Sequence, residues 1–334
     1  MAATAVGPNF ECVGSQMFPH TEHHQEQNGV KIGGGQRSFH QDSEAPYMLP
    51  NDSAEHVRLE RQCRVLSAIM NHKIPHAPLD LNKTQRLLDI GCGTGYVTKT
   101  LADKFPNAQV YGVDLTPVPQ IREYPPNVRF LQGNIVTQSP AEWKPLDGSA
   151  SLTEHENVFD LCFERLCVNT VPDAPGFLKR EYHLLKPGGW IEMHEIGRPT
   201  VLRDGSKATG IDVLEGMEST YTEKTGAVMR PGDVAADWMR DVGFVNVQAH
   251  EYLWPIDIAG ASAELRAELS DITDGTLARD QVDVVTSIIT RMNMKGLLDD
   301  EAAGVMVENT REFYLSADVQ KYYRFIVTIG QKPE

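Results

Sequence analysis

The sequence predicts an α/β protein with a Rossmann-like, seven-stranded, mostly parallel sheet and helices on both of its faces. Three observations predict this fold. Short apolar runs alternate with helical patterns from Gln85 onward, a glycine turn follows the first run, and an aspartate ends the second. An N-terminal helical segment and a helical lid inserted before the last strand complete the predicted architecture.

The composition fits a folded globular chain and excludes several other classes. Of the 334 residues, 41% are hydrophobic and 23% are charged, which allows a sizeable buried core. No apolar run is long enough for a membrane span, and Met1–Phe10 resembles neither a secretory signal nor a transit peptide. We therefore expect a cytoplasmic protein without a membrane partner. The net charge of −15 repels phosphate backbones, so we expect no direct nucleic-acid partner.

The chain begins with a predicted flexible leader, residues 1–45, followed by a helical cap, residues 46–82. The leader is rich in Gly, Gln, His and Ser and has no sustained apolar period. Asp52 is the predicted N-cap of a helix, with Glu55 three residues later as in a capping box. One apolar stripe then follows at helical spacing, formed by Leu59, Cys63, Leu66 and Met70.

Residues 83–254 form the predicted core of the sheet. Its six strands are Arg86–Ile90, Gln109–Asp114, Val128–Gln132, Phe159–Phe163, Trp190–Ile196 and Val245–Tyr252. Helices are predicted over Tyr96–Phe105 and Phe177–Leu185, and another begins at Asp233.

Residues 255–320 are predicted to form the helical lid, and residues 321–334 contain the final strand, Tyr322–Gly330. The lid helices are Ala263–Ile272, Gln281–Met294 and Glu301–Leu315. An insertion of this size is too long for a structureless loop, so it should pack over a sheet edge or an active-site mouth.

The turn Gly91-Cys92-Gly93-Thr94-Gly95 follows a buried strand that contains Asp89, and it precedes a helix. Glycines there permit positive φ and close approach of a ligand. Dinucleotide-binding folds use the spacing G-x-G-x-x-G, whereas here the third glycine comes one residue earlier, which disfavours a pyrophosphate. Asp114 ends the next strand, where a carboxylate accepts hydrogen bonds from ribose hydroxyls. The pattern indicates a nucleoside-containing cofactor.

Four segments in order resemble class I S-adenosylmethionine-dependent methyltransferases: LLDIGCGTG, VYGVDL, FDLCFERL and LLKPGGWIEMHE. The pattern is most similar to the fungal LaeA-like methyltransferases, over roughly residues 46 to 255, and includes the segment Tyr47-Met48-Leu49-Pro50-Asn51-Asp52. The resemblance implies S-adenosylmethionine as cofactor. The cofactor-binding residues that we predict are Tyr47, Arg58, Asp89, Gly91, Gly93, Gly95, Asp114, Leu115, Asn134, Ile135 and Glu164. Position 134 is more commonly Asp in such enzymes, and capping or packing is an equal alternative for Tyr47 and Arg58.

Catalytic candidates follow the fourth and fifth strands, because ligands bind beyond the carboxyl ends of parallel strands. His194 is a candidate general base, although a hydrogen-bonded strand-end histidine is the alternative. Glu195 is a candidate substrate contact, and Asn169 is a weaker one. Arg165 is a candidate for binding an acidic substrate or the cofactor carboxylate, or for an ion pair with Glu164 or Asp160.

No metal is expected, because the chain has no CxxC pair and no recognisable Asp/Asp/Asn arrangement of the catechol type. His20, His23 and His24 are interpreted as part of a solvated tail.

The predicted function is methyl transfer to a small-molecule acceptor, an apolar fungal secondary metabolite. Methionine and aromatic residues in and before the lid belong either to the core or to an apolar pocket: Tyr252, Trp254, Met292, Met294, Met306, Phe313 and Tyr314. Two alternatives stay open. One is a LaeA-like regulator of secondary metabolism, which would be nuclear, and the other is a cofactor-binding cyclase that does not methylate. A homodimer is also left open.

Overall fold

A computed structural model describes residues 30–32, 35–40, 47–153, 156–210, 212–316 and 320–334. His20, His23 and His24 lie outside the described residues. Within the segment predicted as a flexible leader, strands β1 (Val30–Ile32) and β2 (Gly35–Arg37) pair as a short antiparallel ribbon. The Arg37 guanidinium binds the Asp52 carboxylate, with Nε to Oδ2 at 2.7 Å, and this ion pair joins the ribbon to the start of the first helix.

Helix α1 spans Ser53–Ile69 and begins as the sequence predicts. The Asp52 side chain accepts a hydrogen bond from the backbone N–H of Glu55 at 3.0 Å, which satisfies a free amide of the first turn. Leu66 and Met70 of the predicted apolar stripe are buried in the core. Leu59 and Cys63 are half-buried because they face the cavity described below.

The main sheet has eight strands within the described residues, in the order β6, β5, β4, β3, β7, β8, β10, β9. The strands are β3 (Arg86–Ile90), β4 (Gln109–Asp114), β5 (Val128–Gln132), β6 (Lys144–Pro145), β7 (Phe159–Arg165), β8 (Leu185–Leu202), β9 (Val245–Pro255) and β10 (Lys321–Gln331). Strands β5, β4, β3, β7 and β8 are parallel, and β10 lies antiparallel between β8 and β9. The predicted number of seven is one too low, because the two-residue edge strand β6 is too short to leave a pattern in the sequence.

Helices cover both faces of the sheet, as predicted. Successive residues of β3 belong to different cores, Leu87 to one and Leu88 to the other, because strand side chains alternate between faces. The first core also contains apolar residues of α1 and of α2 (Tyr96–Lys104). The second contains those of α3 (Ala174–Leu184) and α5 (Ala235–Val242).

Three helices lie between β9 and β10, as the sequence predicts: α6 (Ala263–Glu268), α7 (Thr276–Met294) and α8 (Asp300–Leu315). Met292, Phe313 and Tyr314 are core residues of this insertion, whereas Met294 is exposed. A further helix, α4 (Asp212–Thr225), follows β8 and was not predicted. Its buried residues Met217 and Tyr221 join the same core as the insertion.

Among the described residues, no helix is both long enough and apolar enough to span a bilayer.

Candidate functional site

The glycine turn after β3 has the backbone conformation that its sequence predicts. Gly91, Gly93 and Gly95 have φ of +63°, +53° and +72°, values that residues with a Cβ adopt at a cost. A Cβ at Gly91 would lie 2.9 Å from the Cys167 sulfur, and one at Gly95 would lie 2.8 Å from the Tyr124 hydroxyl oxygen. Backbone conformation and packing therefore both require glycine at the first and third positions.

A cavity of about 260 Å³ opens beside this turn, at the carboxyl ends of β3, β4 and β7. Strand β3 is paired on one side with β4 and on the other with β7. The strand order therefore reverses at β3: β4 and β5 are added on one side of it, and β7 and β8 on the other. Such a switch point is the expected place for a ligand in an open α/β sheet. Ten of the fourteen predicted site residues line the cavity, and Gly95 closes the same turn without lining it. The ten are Tyr47, Arg58, Asp89, Gly91, Gly93, Asp114, Leu115, Asn134, Ile135 and Arg165.

Asp114 lies at the end of β4 and holds the turn in place. Its Oδ2 accepts the Gly93 N–H at 2.9 Å, and its Oδ1 accepts both the N–H and the hydroxyl of Thr116 at 3.0 Å. An ionised carboxylate has about four acceptor positions, so one on Oδ2 remains for a ligand hydroxyl.

Asp89 is buried beneath the turn and also lines the cavity. Its Oδ2 accepts the Thr98 hydroxyl at 2.5 Å. Burial raises the pKa of Asp89 to about 7, against the lowering effect of that hydrogen bond and of the Arg165 charge. Burial thus disfavours the charged form of this carboxyl, and a positive group next to it favours that form.

Asn134 and Ile135 follow β5 and form the far wall. The Asn134 Oδ1 accepts the Val136 N–H at 3.0 Å, and its own N–H donates to the Gln138 side chain at 2.8 Å. These hydrogen bonds hold the loop after β5. The asparagine stands where class I methyltransferases more commonly have aspartate.

Tyr47 and Arg58 reach the cavity from the N-terminal segment and from α1. The Arg58 Nη2 donates to Glu55 Oε1 at 2.7 Å, a buried ion pair within the helix. Burial, with the nearby charges of Glu55 and Asp114, raises the pKa of Tyr47 far above its usual range, so its phenol stays neutral.

Arg165 lines the cavity at the end of β7, and all three of its guanidinium nitrogens are buried without a hydrogen-bond partner among the described residues. The predicted alternative of an ion pair with Asp160 or Glu164 is wrong. Asp160 binds Lys186 at 2.9 Å, and Glu164 points to the other face of the sheet.

The structure does not bring His194, Glu195 or Glu164 to the cavity, which corrects their predicted placement. His194 is fully buried, its Nε2 lies 2.7 Å from Glu192, and burial lowers its pKa to about 4. Glu195 is buried and accepts the backbone N–H groups of Cys167 and Val168. Glu164 lies against α3, where burial raises its pKa and where it raises that of Glu181. Strand-end position alone does not reveal which side of the sheet Glu164 and Glu195 face, nor that His194, on the same face as Arg165, is buried against Phe163.

Several cavity residues were not predicted from the sequence as site residues. They come from α1, the loop after β7, β8, α4 and the segment after it, and α7: His56, Leu59, Gln62, Cys63, Cys167, Ile196, Tyr221, Met229, Gln281, Val284 and Ile288. Asn169, a weaker candidate for a substrate contact, and Trp254, named for either the core or an apolar pocket, also line the cavity. The half-buried stripe of α1 was the one available signal, because Leu59 and Cys63 share a helix face with core residues.

One group of three potential metal ligands lies together within the described part of the chain, formed by His76, Glu192 and His194. The Glu192 Oε2 accepts the N–H groups of His76 and Ala77 at 2.7 and 2.8 Å, and Oε1 contacts both imidazoles. Burial raises the pKa of Glu192, but the hydrogen bonds from both histidines outweigh it and bring the pKa to about 2. These hydrogen bonds account for both carboxylate oxygens.

Comparison with known proteins gives consistent findings. A family model described as a methyltransferase domain matches residues 58–249. Methyltransferase pytC of Aspergillus terreus is 27% identical over 300 residues, which cover 89% of this chain and 86% of pytC. The laeA protein of Emericella nidulans, described as a protein-methionine methyltransferase and as a secondary metabolism regulator, is 31% identical over 237 residues, covering 69% of this chain and 58% of laeA.

Among solved structures, phosphoethanolamine N-methyltransferase 2 of Haemonchus contortus, in complex with phosphomonomethylethanolamine and S-adenosylhomocysteine, matches with a TM-score of 0.41. The sequence identity is 16%, and the match covers 82% of this chain and 53% of that chain.

Proposed function

The chain belongs to the methyltransferase-domain family, and from that premise we propose that it methylates a small, largely apolar metabolite held in the cavity. It is an S-adenosylmethionine-dependent methyltransferase. The observation that carries the proposal about the acceptor is the composition of the cavity, which joins the glycine turn at one end to an apolar wall at the other.

The cofactor end of the cavity is assigned to the residues around the turn. S-Adenosylmethionine supplies a methyl group that its sulfonium already activates for displacement, so the protein's main task is alignment. The turn lets backbone approach the ligand closely, the free position on Asp114 Oδ2 accepts a ribose hydroxyl, and Asn134 and Ile135 border the adenine. The neutral phenol of Tyr47 also lines the cavity.

The acceptor end is assigned to the wall formed by the end of β8, the flanks of the insertion and α7. Ile196, Met229, Trp254 and Ile288 make this wall apolar. The hydroxyl of Tyr221 is buried there without a hydrogen-bond partner in the described ranges, so it is available to an oxygen or nitrogen of the acceptor. Such a wall excludes water from the methyl group and favours a hydrophobic molecule with few polar atoms.

A general base is needed only when the accepting atom carries a proton. His194 does not provide one from its buried position, and Glu195 is held by backbone amides. The imidazole of His56 does line the cavity, and burial lowers its pKa, so it is neutral and able to accept a proton.

A second candidate function is regulation of secondary metabolism, favoured by the 31% identity to laeA. A regulator would act in the nucleus and would use the same cofactor without a small acceptor. The apolar wall beside the turn supports the metabolite enzyme instead.

The test is incubation of the purified protein with methyl-deuterated S-adenosylmethionine and an extract of a metabolite-producing fungus. We expect a small-molecule product that carries the deuterated methyl group, formed together with S-adenosylhomocysteine. Binding of cofactor with no labelled small molecule would favour the regulator, and an altered molecule without cofactor consumption would favour a cyclase. Absence of any affinity for cofactor or coproduct would overturn the assignment of the site.

A further inference from the structure

Arg165 carries a buried positive charge, and Asp89, whose pKa this charge lowers, makes no hydrogen bond to it. Its Nε, Nη1 and Nη2 are all buried and have no hydrogen-bond partner within the described ranges. The Cys63 thiol is close enough for the Arg165 charge to lower its pKa, against the larger rise caused by burial, but a thiol is a weak acceptor. Buried donors without hydrogen bonds are costly, so this guanidinium favours a bound anion that can accept hydrogen bonds from it.

The sheet register places Arg165 next to the glycine turn. Ile90 of β3 is opposite Glu164 of β7, so the following residues, Gly91 and Arg165, are neighbours. On the other side of β3, Ile90 is opposite Val113, which places Asp114 beside Gly91 as well. Asp114 and Arg165 therefore flank the turn, separated by two strand spacings, about 10 Å.

This order along the cavity matches the order of groups along S-adenosylmethionine. The ribose, the sulfonium and the methionyl carboxylate follow one another in the cofactor, as Asp114, the glycine turn and Arg165 follow one another across the sheet. The charge of Arg165 lowers the pKa of Asp89 against the rise caused by burial, and both residues line the cavity. A guanidinium and a carboxyl group within electrostatic reach of each other suit the carboxylate and ammonium groups of an amino acid.

The guanidinium of Arg165 also lies over an aromatic ring. Its central carbon lies 5.6 Å from the centre of the Phe163 ring, two residues earlier on the same face of β7. A guanidinium held over a ring keeps a planar pair of N–H donors directed to one place, which is the geometry that binds a carboxylate through two hydrogen bonds.

We propose that Arg165 binds the α-carboxylate of the methionyl group and so makes the protein select cofactors that retain it. The proposal rests on the proposed function, because it assumes that S-adenosylmethionine occupies the cavity with its ribose at Asp114. An acidic acceptor is the other anion that Arg165 could bind, and the experiment below separates the two.

The test is calorimetric binding of S-adenosylhomocysteine and of its decarboxylated analogue, S-adenosyl-3-thiopropylamine, to the wild type and to Arg165→Met. We expect the wild type to bind S-adenosylhomocysteine about tenfold or more tightly than the analogue, because two charge-assisted hydrogen bonds are lost with the carboxylate. In Arg165→Met the preference should fall to within about twofold, through weaker binding of S-adenosylhomocysteine alone. Arg165→Lys, which keeps the charge but not the planar fork, should retain part of the preference.

Arg240→Met is the matched control, because Arg240 is exposed on α5 and pairs with Asp237 away from the cavity. It should bind both ligands as the wild type does. A preference that persists in Arg165→Met would overturn the proposal, and so would its absence in the wild type. Unchanged binding of both ligands with loss of methyl transfer would assign Arg165 to an acidic acceptor instead. If the wild type binds neither ligand, the cofactor assignment itself fails, which is a separate result.

Discussion

Asp114 shows how one side chain both builds the site and serves it. Three of its acceptor positions are used by Gly93 and Thr116, so the carboxylate fixes the turn before any ligand arrives. One acceptor position on Oδ2 remains for a ligand hydroxyl. Loss of the carboxylate should therefore affect the geometry of the turn and the contact with the ribose together.

Asp114→Ala should weaken binding of S-adenosylhomocysteine by roughly 1–3 kcal/mol, since a hydrogen bond to a charged acceptor is lost and the Gly93 amide is left free. Calorimetry measures this change directly. Asp147→Ala is a suitable control, because Asp147 lies in an exposed turn outside the cavity. Equal affinity of Asp114→Ala and the wild type would show that this carboxylate does not hold the ribose.

Glu164 and Glu181 form a buried pair of carboxyl groups on the face of the sheet opposite Arg165. Neither has a hydrogen-bond partner among the described residues, and burial raises the pKa of both. A raised pKa in the folded state means that the folded protein holds protons that the unfolded chain, with its ordinary pKa of 4.5, has released. The stability that this proton binding contributes is complete below the pKa of the unfolded chain. It is lost as the pH rises through the pKa of the folded protein.

The double variant Glu164→Gln/Glu181→Gln should remove that dependence. We compare the free energy of unfolding in urea of the double variant with that of the wild type. This difference should be more favourable to the variant at about pH 8 than at about pH 5, by about 1 kcal/mol or more. Glu308 lies on the exposed side of α8, and the free energy of unfolding of Glu308→Gln should differ from that of the wild type by the same amount at both pH values. A pH-independent difference for the double variant would mean that the two carboxyl groups are ionised in the folded protein.

At the residue scale, the sequence predicted the turn, Asp114 and the loop after β5, because each follows the end of a strand whose pattern is clear. It did not separate Arg165 from Glu164. Neighbouring residues on a strand face opposite sides, but both faces of this sheet are covered, so apolar patterning does not mark which side holds the cavity. His194 was misplaced for a different reason: it lies on the same face as Arg165, opposite it in register, but it is buried against the rings of Phe163 and Phe325.

At the element scale, the strands that surround the site were the most predictable. The bounds of β3, β4 and β5 are those predicted, since each is a short apolar run between clear turn residues. β8 continues to Leu202, beyond its predicted end at Ile196, because pairing with β10 extends it after the apolar run stops. Helix α4 was missed although Val213, Met217 and Tyr221 recur at i, i+4 and i+8, the spacing of an amphipathic helix.

The glycine turn gives a prediction that separates backbone strain from steric overlap. Gly95 and Gly148 share a φ of +72°, but a Cβ at Gly95 would lie 2.9 Å from the Phe130 ring, whereas one at Gly148 would meet nothing within 4 Å. Gly148→Ala should cost about 1 kcal/mol in the free energy of unfolding, from the left-handed backbone alone. Gly95→Ala should cost roughly 1–3 kcal/mol more because of the overlap. Equal losses in urea unfolding would mean that Tyr124 and Phe130 move aside freely.

At the scale of the whole molecule, the cavity exists because α1 and α7, far apart in the sequence, pack over the same end of the sheet. Leu59 and Cys63 of α1 and Gln281 and Ile288 of α7 all line it. No local pattern predicts this meeting. The wall for the acceptor was therefore the least predictable part of the site, whereas the turn for the cofactor was the most.

Two ion pairs join the N-terminal helix to the insertion. Arg61 binds Asp280 through two hydrogen bonds of 2.9 and 2.5 Å, with the Asp280 side chain 11% exposed. Arg64 binds Asp271 with similar geometry, but there the aspartate side chain is 59% exposed. Solvent screens the second pair more than the first, so the two should differ in their contribution to stability.

Asp280→Ala should lower the free energy of unfolding by about 2–3 kcal/mol, because it leaves Arg61 without its partner at a largely buried position. Asp271→Ala, the matched control, should cost less than about 1 kcal/mol. Because Asp280 precedes Gln281 in the cavity wall, Asp280→Ala should also weaken binding of S-adenosylhomocysteine, and Asp271→Ala should leave that binding unchanged. Urea unfolding and calorimetry on the same preparations give both quantities. A loss of stability in Asp280→Ala without any change in affinity would show that the helices of the insertion pack on α1 without shaping the cofactor site.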